Sequence, residues 1–498
     1  MPAGIRRTRL CTALLLSLGL ALVGPLVAAA NVALMRLSVD TYTNSTSQHK
    51  TEVEPDTFSS GAATVAAFQV GRFFDGGSSN VGWATTSNNG AIWTQGFLPR
   101  ITTAAGGRYD RASDPSVAYD ARHDAWLIST LALSAAGGVH GVAVLTSRST
   151  DGGFTWSDPV TVVTGSDLDK NWIVCDNTPT SRFYGHCYTQ WDDHGSFNKL
   201  YMSTSDDGGL SWGAKKAPRG SPSGLGGQPV VQPDGTVIVP YFNGAQIGAF
   251  RSTNGGSKWE VAYLVSNVSS HTVAGGLRTI PLPSAEVDGA GKVYVVWQDC
   301  RFRSGCASND IVLSTSTDGR AWTTPVAVPI DGPTSGVDHF IPGLAVDRAT
   351  AGANARLGLT YYYYPNAACS ASTCQLEVGF VSSSNGGARW SAPTQLAGPM
   401  TLSWLPNTNQ GRMVGDYIST SFGADGLARG VFAVANAPAR AGADCATSTP
   451  NCDQAMYAPS GGLATAPAAN AAGPMLERNP VAMTAAEHAA ANSALAVR

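Results

Sequence analysis

Short runs in which apolar and polar residues alternate recur along most of the chain, such as VAVLTSRS (142–149) and DIVLSTS (310–316). Each is broken by glycine, proline, Asn or Asp within about ten positions. A period of two predicts half-buried β-strands, and no useful stretch with the helical period interrupts them up to about residue 459. A larger plan is superimposed. EPDTFSSGAATVAAFQ (54–69), DPSVAYDARHDAWLIST (114–130), QPVVQPDGTVIVPYF (228–242), LPSAEVDGAGKVYVVWQ (282–298) and IPGLAVDRAT with RLGLTYYYY (341–364) each pair an X-Pro start with a short strand, a polar turn and a second apolar strand. NWIVCDN with FYGHCYTQW (171–191) and GDYISTSFGADGLARGVFAVAN (415–436) follow the same plan without the proline. Proline suits the first residue of a strand, where its missing amide costs little.

The units are punctuated by a turn ending in tryptophan. The copies are TSNNGAIW (86–93), STDGGFTW (149–156), SDDGGLSW (205–212), STNGGSKW (252–259), STDGRAW (316–322, one residue short) and SSNGGARW (383–390). In S/T-x-D/N-x-G-x-x-W the Asx side chain can bond the amides that follow it. Glycine supplies a positive φ, and tryptophan offers an apolar plate for packing between units. A motif recurring at this spacing implies a fold built from stacked units.

These turns resemble Asp-boxes, or BNR repeats, of sialidases and related glycosidases and binding proteins. The resemblance covers roughly Glu54 to Trp390 and implies an all-β propeller of four-stranded blades. Seven starts favour seven blades, whereas sialidases of the family have six; six blades with an appended hairpin is the alternative. The last unit, from about Met413 to Pro459, has three strand-like runs, and NVALMRLSVD (31–40) is left unassigned upstream. Both remainders are explained if the strand around Val32 to Val39 completes the last blade.

Residues 1–30 read as a secretory signal peptide: Arg6, Arg7 and Arg9, an apolar run LLLSLGLALVG, then VAAA. The expected organisation is therefore 1–30 leader, 31–459 Asp-box domain, and 460–498 an Ala-rich flexible tail. The mature protein is expected to be secreted and monomeric, with no membrane span. Losing the three arginines takes the formal charge from −3 to −6, which disfavours nucleic acid as a partner. The cysteines after residue 30 fall into close pairs, Cys175 with Cys187, Cys300 with Cys306, Cys369 with Cys374 and Cys445 with Cys452. In an exported chain these predict local disulfides; their spacing fits no common zinc pattern, and neither metal nor cofactor is expected.

Only 13% of residues are charged, against ~25% in ordinary globular proteins, so clustered charge before the first strands is informative. Glu52 and Glu54, Arg108 to Asp114, Asp167 to Lys170, His271 with Arg278, Asp338 with His339, and Arg412 with Asp416 and Tyr417 all lie there. These groups either serve a site or ion-pair between units. The resemblance implies a sialidase-like glycoside hydrolase acting on a terminal anionic sugar, with carbohydrate or glycoconjugate as partner. Arginine forks would bind the carboxylate, a tyrosine would be nucleophile, and an aspartate acid/base. The residues expected in those roles are Tyr417, Asp416 and Asp299 for catalysis, and Arg72, Arg301, Arg412, Arg278 and Trp297 for binding. A non-catalytic glycan- or protein-binding propeller is the rival reading.

Overall fold

The computed structural model describes residues 32–438 and 452–484, together with Met1, Arg440, residues 442–447 and Glu487. The expected leader falls, apart from Met1, outside the described residues. The described chain is all-β, relieved only by three-residue 3-10 turns.

Alternating strands pair with their chain neighbours as antiparallel meanders, which take the order of the sequence plan. Unit I comprises Gln48–Ser60, Ala63–Arg72, Ser78–Thr86 and Thr94–Phe97. Unit II comprises Arg111–Asp120, Ala125–Ser134, His140–Ser149 and Val160–Thr164. Unit III has Leu168–Cys175, Cys187–Asp193 and Lys199–Ser205, with a bridge from Met202 to Lys216 where a fourth strand would lie. Unit IV runs from Val230 to Asn267, unit V from Ser284 to Ala327 and unit VI from Asp338 to Thr401, each a four-stranded sheet.

Unit VII combines Ser419–Phe422, Ala428–Ala435 and Gln454–Pro459 with the N-terminal strand Leu34–Arg36, which pairs antiparallel with 457–459. The two remainders of the sequence therefore do meet. The first strands touch in the order I to VII, and that of unit VII touches that of unit I. Single bridges, Thr51 to Gln454 and Ser78 to Ala112, join units VII, I and II into one twelve-stranded sheet. Apolar faces pack between successive units: Val65, Trp83, Val117 and Ile128 between I and II, and Tyr294, Leu313, Leu344 and Trp390 between V and VI.

The N-terminal strand carries a testable share of the stability. Leu37 is buried, its amide bonds Met456 O at 2.8 Å, and the Ser38 hydroxyl donates to the buried Glu52 carboxylate while accepting from Met456 N. Deleting residues 31–40 is expected to lower the denaturant midpoint sharply, since burial of Leu37 alone contributes about 2–5 kcal/mol and the 454–459 edge would be bared. An unchanged midpoint would refute that role.

The Asp-box turns join third to fourth strands and work as their chemistry requires. Asp151 Oδ1 accepts from the amides of Phe154 and Thr155 at 3.0 and 2.9 Å, and Ser149 Oγ accepts from Gly153 N at 3.0 Å. Gly153 has φ 84°, and a Cβ there would lie 2.7 Å from Val65 of the preceding unit. The glycine thus serves both the turn and the packing between units.

Two other expectations meet the structure differently. The cysteine pairs are the expected local disulfides. The segment from Ser460, expected to be a flexible tail, is instead laid along the sheet edges as far as Met483. Backbone bonds link Leu463 to Ala428, Ala469 to Trp390, Arg478 to Trp322 and Met483 to Ala262, so the segment visits units VII, VI, V and IV in turn. Open edge amides and carbonyls supply partners that a count of apolar residues does not register, and Met483 is buried against Tyr241.

Candidate functional site

The first strands of units I, II, III and VI share an irregularity on which the site is built. Register slips between Val53 and Asp56, Ser113 and Ser116, Asp169 and Trp172, and Phe340 and Gly343. Within these bulges Glu54, Asp114, Lys170 and Ile341 have φ of 55°, 47°, 45° and 49°. A left-handed non-glycine residue costs roughly 1–2 kcal/mol, and a bulge re-aims the side chain it carries. In units I, II and VI the bulged residue precedes a proline, which disfavours the right-handed helical region.

Three of these bulges converge. Lys170 Nζ lies 2.6 Å from Asp416 Oδ2, 3.0 Å from Asp114 Oδ1 and 3.5 Å from Glu54 Oε1. Arg278 grips Asp416 from another side, Nε to Oδ1 at 2.7 Å and Nη2 to Oδ2 at 2.5 Å. Glu54 also accepts from the Asp416 amide at 3.1 Å and from the Gln69 side chain. All of these charged groups are buried except Arg278, which is part-buried. Glu54, Asp114, Lys170 and Arg278 help line an open cleft of about 450 Å³.

Burial acts on each charge, and the neighbours decide the outcome. Burial pushes the Glu54 carboxyl up to about 7 against the pull of Lys170. Burial pushes Asp416 the same way, but Arg278 and Lys170 overcome it and hold that carboxyl far below its ordinary range. Lys170 resists its own burial because Asp114, Asp416 and Glu54 surround it, and stays protonated well above the usual lysine value. The cluster therefore sets an acid on the cleft wall, Glu54, that is protonated up to neutrality beside a buried carboxylate, Asp416, that stays ionised.

Arg72, at the end of the second strand of unit I, is also buried on the cleft wall. Its Nη1 donates to Gly77 O at 2.8 Å and Gln69 Oε1 at 3.3 Å, and its Nε has no hydrogen-bond partner among the described residues. Burial, then the nearby Arg278, lowers its pKa to about 10.

Of the residues expected from sequence, Arg72, Arg278 and Asp416 come together here. Tyr417 lies next to the cluster, edge-on to Trp172 with ring centroids 4.9 Å apart, and its hydroxyl donates to Pro115 O at 3.1 Å. Like Asp416 it is buried and is not among the cleft-lining groups. Asp299, Arg301 and Trp297 form a separate knot in unit V. Arg301 Nη2 meets Asp299 Oδ2 at 2.6 Å, and Trp297 Nε1 donates to the same oxygen at 3.1 Å. Trp297 is wholly buried in an apolar cluster, so its ring faces cannot receive a sugar. Arg412 turns its guanidinium to Asp444 and the Leu405 carbonyl, while its own carbonyl receives the Arg278 amide at 2.7 Å. Asp299, Arg301, Trp297 and Arg412 thus lie apart from the cluster, which instead gathers Glu54, Asp114 and Lys170 around Asp416. Those three stood among the clustered charges, and two precede the proline of a repeated X-Pro start, the signal that could have selected them.

Among the described residues, two side-chain groups offer metal-ligating atoms close together: Asp169, Asp192 and His194 in unit III, and Asp310, Asp331 and His339 around units V and VI. Asp169 and His194 line the same cleft.

Comparison with known proteins agrees with the repeats. A family model described as a BNR repeat-like domain matches residues 138–343. No curated protein matches the chain. Among solved structures, a protein of unknown function from Dyadobacter fermentans is 15% identical, with 71% of this chain and 99% of that one covered and a TM-score of 0.45. The NanB sialidase from Streptococcus pneumoniae is 12% identical over 85% of this chain and 70% of that one, at a TM-score of 0.41. The Trypanosoma rangeli sialidase is also 12% identical over 67% of this chain, which spans 58% of that structure, at 0.41.

Proposed function

We propose that the chain is an exported, sialidase-like glycoside hydrolase acting on a terminal anionic sugar, starting from its Asp-box turns and the match of residues 138–343 to a BNR repeat-like domain. The seven meanders are read as blades of a closed propeller, supported by the cyclic contacts of their first strands and by the N-terminal strand in unit VII. Four disulfides support an extracellular setting.

The observation that carries the reading is the pair Glu54 and Asp416, held on one ammonium with their pKa values driven apart. Glycoside hydrolysis needs a proton donor for the leaving oxygen and a carboxylate for the cationic transition state. Opposed environments assign those roles to Glu54 and Asp416 respectively. Arg72, a buried cation whose side-chain hydrogen bonds among the described residues go to uncharged oxygens, is the group to meet the anionic substituent of the sugar. Tyr417 is assigned to positioning: its ring lies under Lys170, 5.8 Å from Nζ.

The purified mature protein should turn over members of a panel of fluorogenic glycosides, and anionic sugars, sialosides included, should be preferred. Arg72→Lys keeps the charge but loses the fork, so KM for an anionic substrate should rise at least about tenfold while neutral glycosides change little. One observation favours the rival binding reading: Asp416 is fully engaged by Arg278 and Lys170. Glycan binding without turnover of any substrate would decide for it.

A further inference from the structure

Asp169 and Asp192 are cross-strand partners in unit III, one on each of two paired strands. Like charges placed directly opposite repel one another unless something of opposite sign lies between them. His194, two residues beyond Asp192, brings Nε2 to 3.3 Å from Asp169 Oδ2 and 3.2 Å from Asp192 Oδ2. One ligand atom from each residue falls within 4.8 Å of the others. Asp192 is 0% exposed, and no hydrogen-bond donor among the described residues reaches its Oδ1. A buried carboxylate oxygen left without a partner carries a large desolvation penalty.

The second group in the protein shows how the same problem is solved by side chains alone. There Arg303 inserts its guanidinium between Asp310 and Asp331, and also donates to Gly332 O and Ser335. Around Asp169 and Asp192 no arginine or lysine of the described residues comes within ion-pairing distance, because Lys170 is committed to Glu54, Asp114 and Asp416. A single imidazole leaves the pair of carboxylates under-neutralised.

We propose that Asp169, Asp192 and His194 bind a divalent transition-metal ion on the wall of the cleft. Two carboxylate oxygens and one imidazole nitrogen suit Zn²⁺ or Mn²⁺ better than the all-oxygen sites that hold Ca²⁺ or Mg²⁺. On binding, His194 gives its Nε2 lone pair to the metal and any proton there passes to solvent. Three protein ligands leave coordination positions free, and since Asp169 and His194 line the cleft, those positions face it.

The test uses the mature protein dialysed against a chelator and titrated with Mn²⁺, reading the loss of the free aqueous Mn²⁺ resonance. The stripped protein should take up one equivalent, and Zn²⁺ should displace it. Asp192→Asn and His194→Gln should each weaken uptake by at least about 100-fold, more than the loss of an outer-shell partner causes. Asp310→Asn, in the group that Arg303 fills, should bind as the parent does. No uptake of either ion by the stripped parent, or unchanged uptake in both site variants, would overturn the proposal in favour of a plain imidazole–carboxylate cluster. His194 is exposed, so His194→Gln decides the matter should Asp192→Asn fail to fold. The readout is binding, so the outcome does not depend on glycoside turnover.

Discussion

Replacing Lys170 by methionine is expected to lower folding stability by about 3–5 kcal/mol, the cost of removing one partner from a buried ionic cluster. Methionine keeps most of the stem volume, so the loss isolates the ammonium. Three carboxylates, Glu54, Asp114 and Asp416, then share a buried space with Arg278 as the remaining cation paired to the cluster. The deficit must depend on pH, and its sign follows from linkage. Glu54 already has a folded pKa of about 7, above its unfolded value of 4.5. An acid raised on folding binds its proton more tightly in the native state, so its contribution falls as pH rises from about 4.5 through 7. Without Lys170 the Glu54 carboxyl loses the cation that pulls it down and is raised further, which carries that fall to higher pH. Urea midpoints of the variant should therefore lie nearest the parent at pH 5 and furthest from it at pH 8. Equal midpoints at pH 8 would mean that the cluster does not depend on its ammonium.

Glu54→Gln should reduce kcat of glycoside turnover by about 10²–10⁴, the usual worth of a positioned general acid, with a much smaller change in KM. The parent rate should fall as pH rises past about 7, because Glu54 must hold its proton to deliver it. Asp416, held ionised by Arg278 and Lys170, contributes no limb to the profile near neutrality. The alkaline fall should vanish from the residual activity of the variant. A profile that keeps it, or a variant with parental kcat, would move the acid role elsewhere, with Asp114 on the same ammonium the next residue to replace. Native-like circular dichroism of the variant is the control, since Gln69 and the Asp416 amide both donate to Glu54.

Features that rest on local chemistry could be read directly from the residues. Alternation placed the strands, the Asx and glycine positions of the box turns placed the third-to-fourth connections, and short spacing paired the cysteines. Counting the repeats also brought the strand at 34–36 to the last unit, because one unit lacked a strand and one strand lacked a unit. Each of these depends on neighbours in the chain or on a repeat that can be counted.

Which charges meet depended on how the units fold together. Arg72 and Arg278 line the cleft and Arg278 holds the buried Asp416 behind it, whereas Arg412 and Arg301, equally well placed by sequence, turn their guanidinium groups to Asp444 and Asp299. Lys170 binds residues 54, 114 and 416 at once, contacts that span 116, 56 and 246 positions of chain. Their direction is set by bulges at Glu54, Asp114 and Lys170, each a residue of positive φ at a register slip of its strand. A period-two pattern assigns every strand residue to one face or the other. A bulge breaks that assignment at one position, so the side chains that carry the site are those the pattern describes least well.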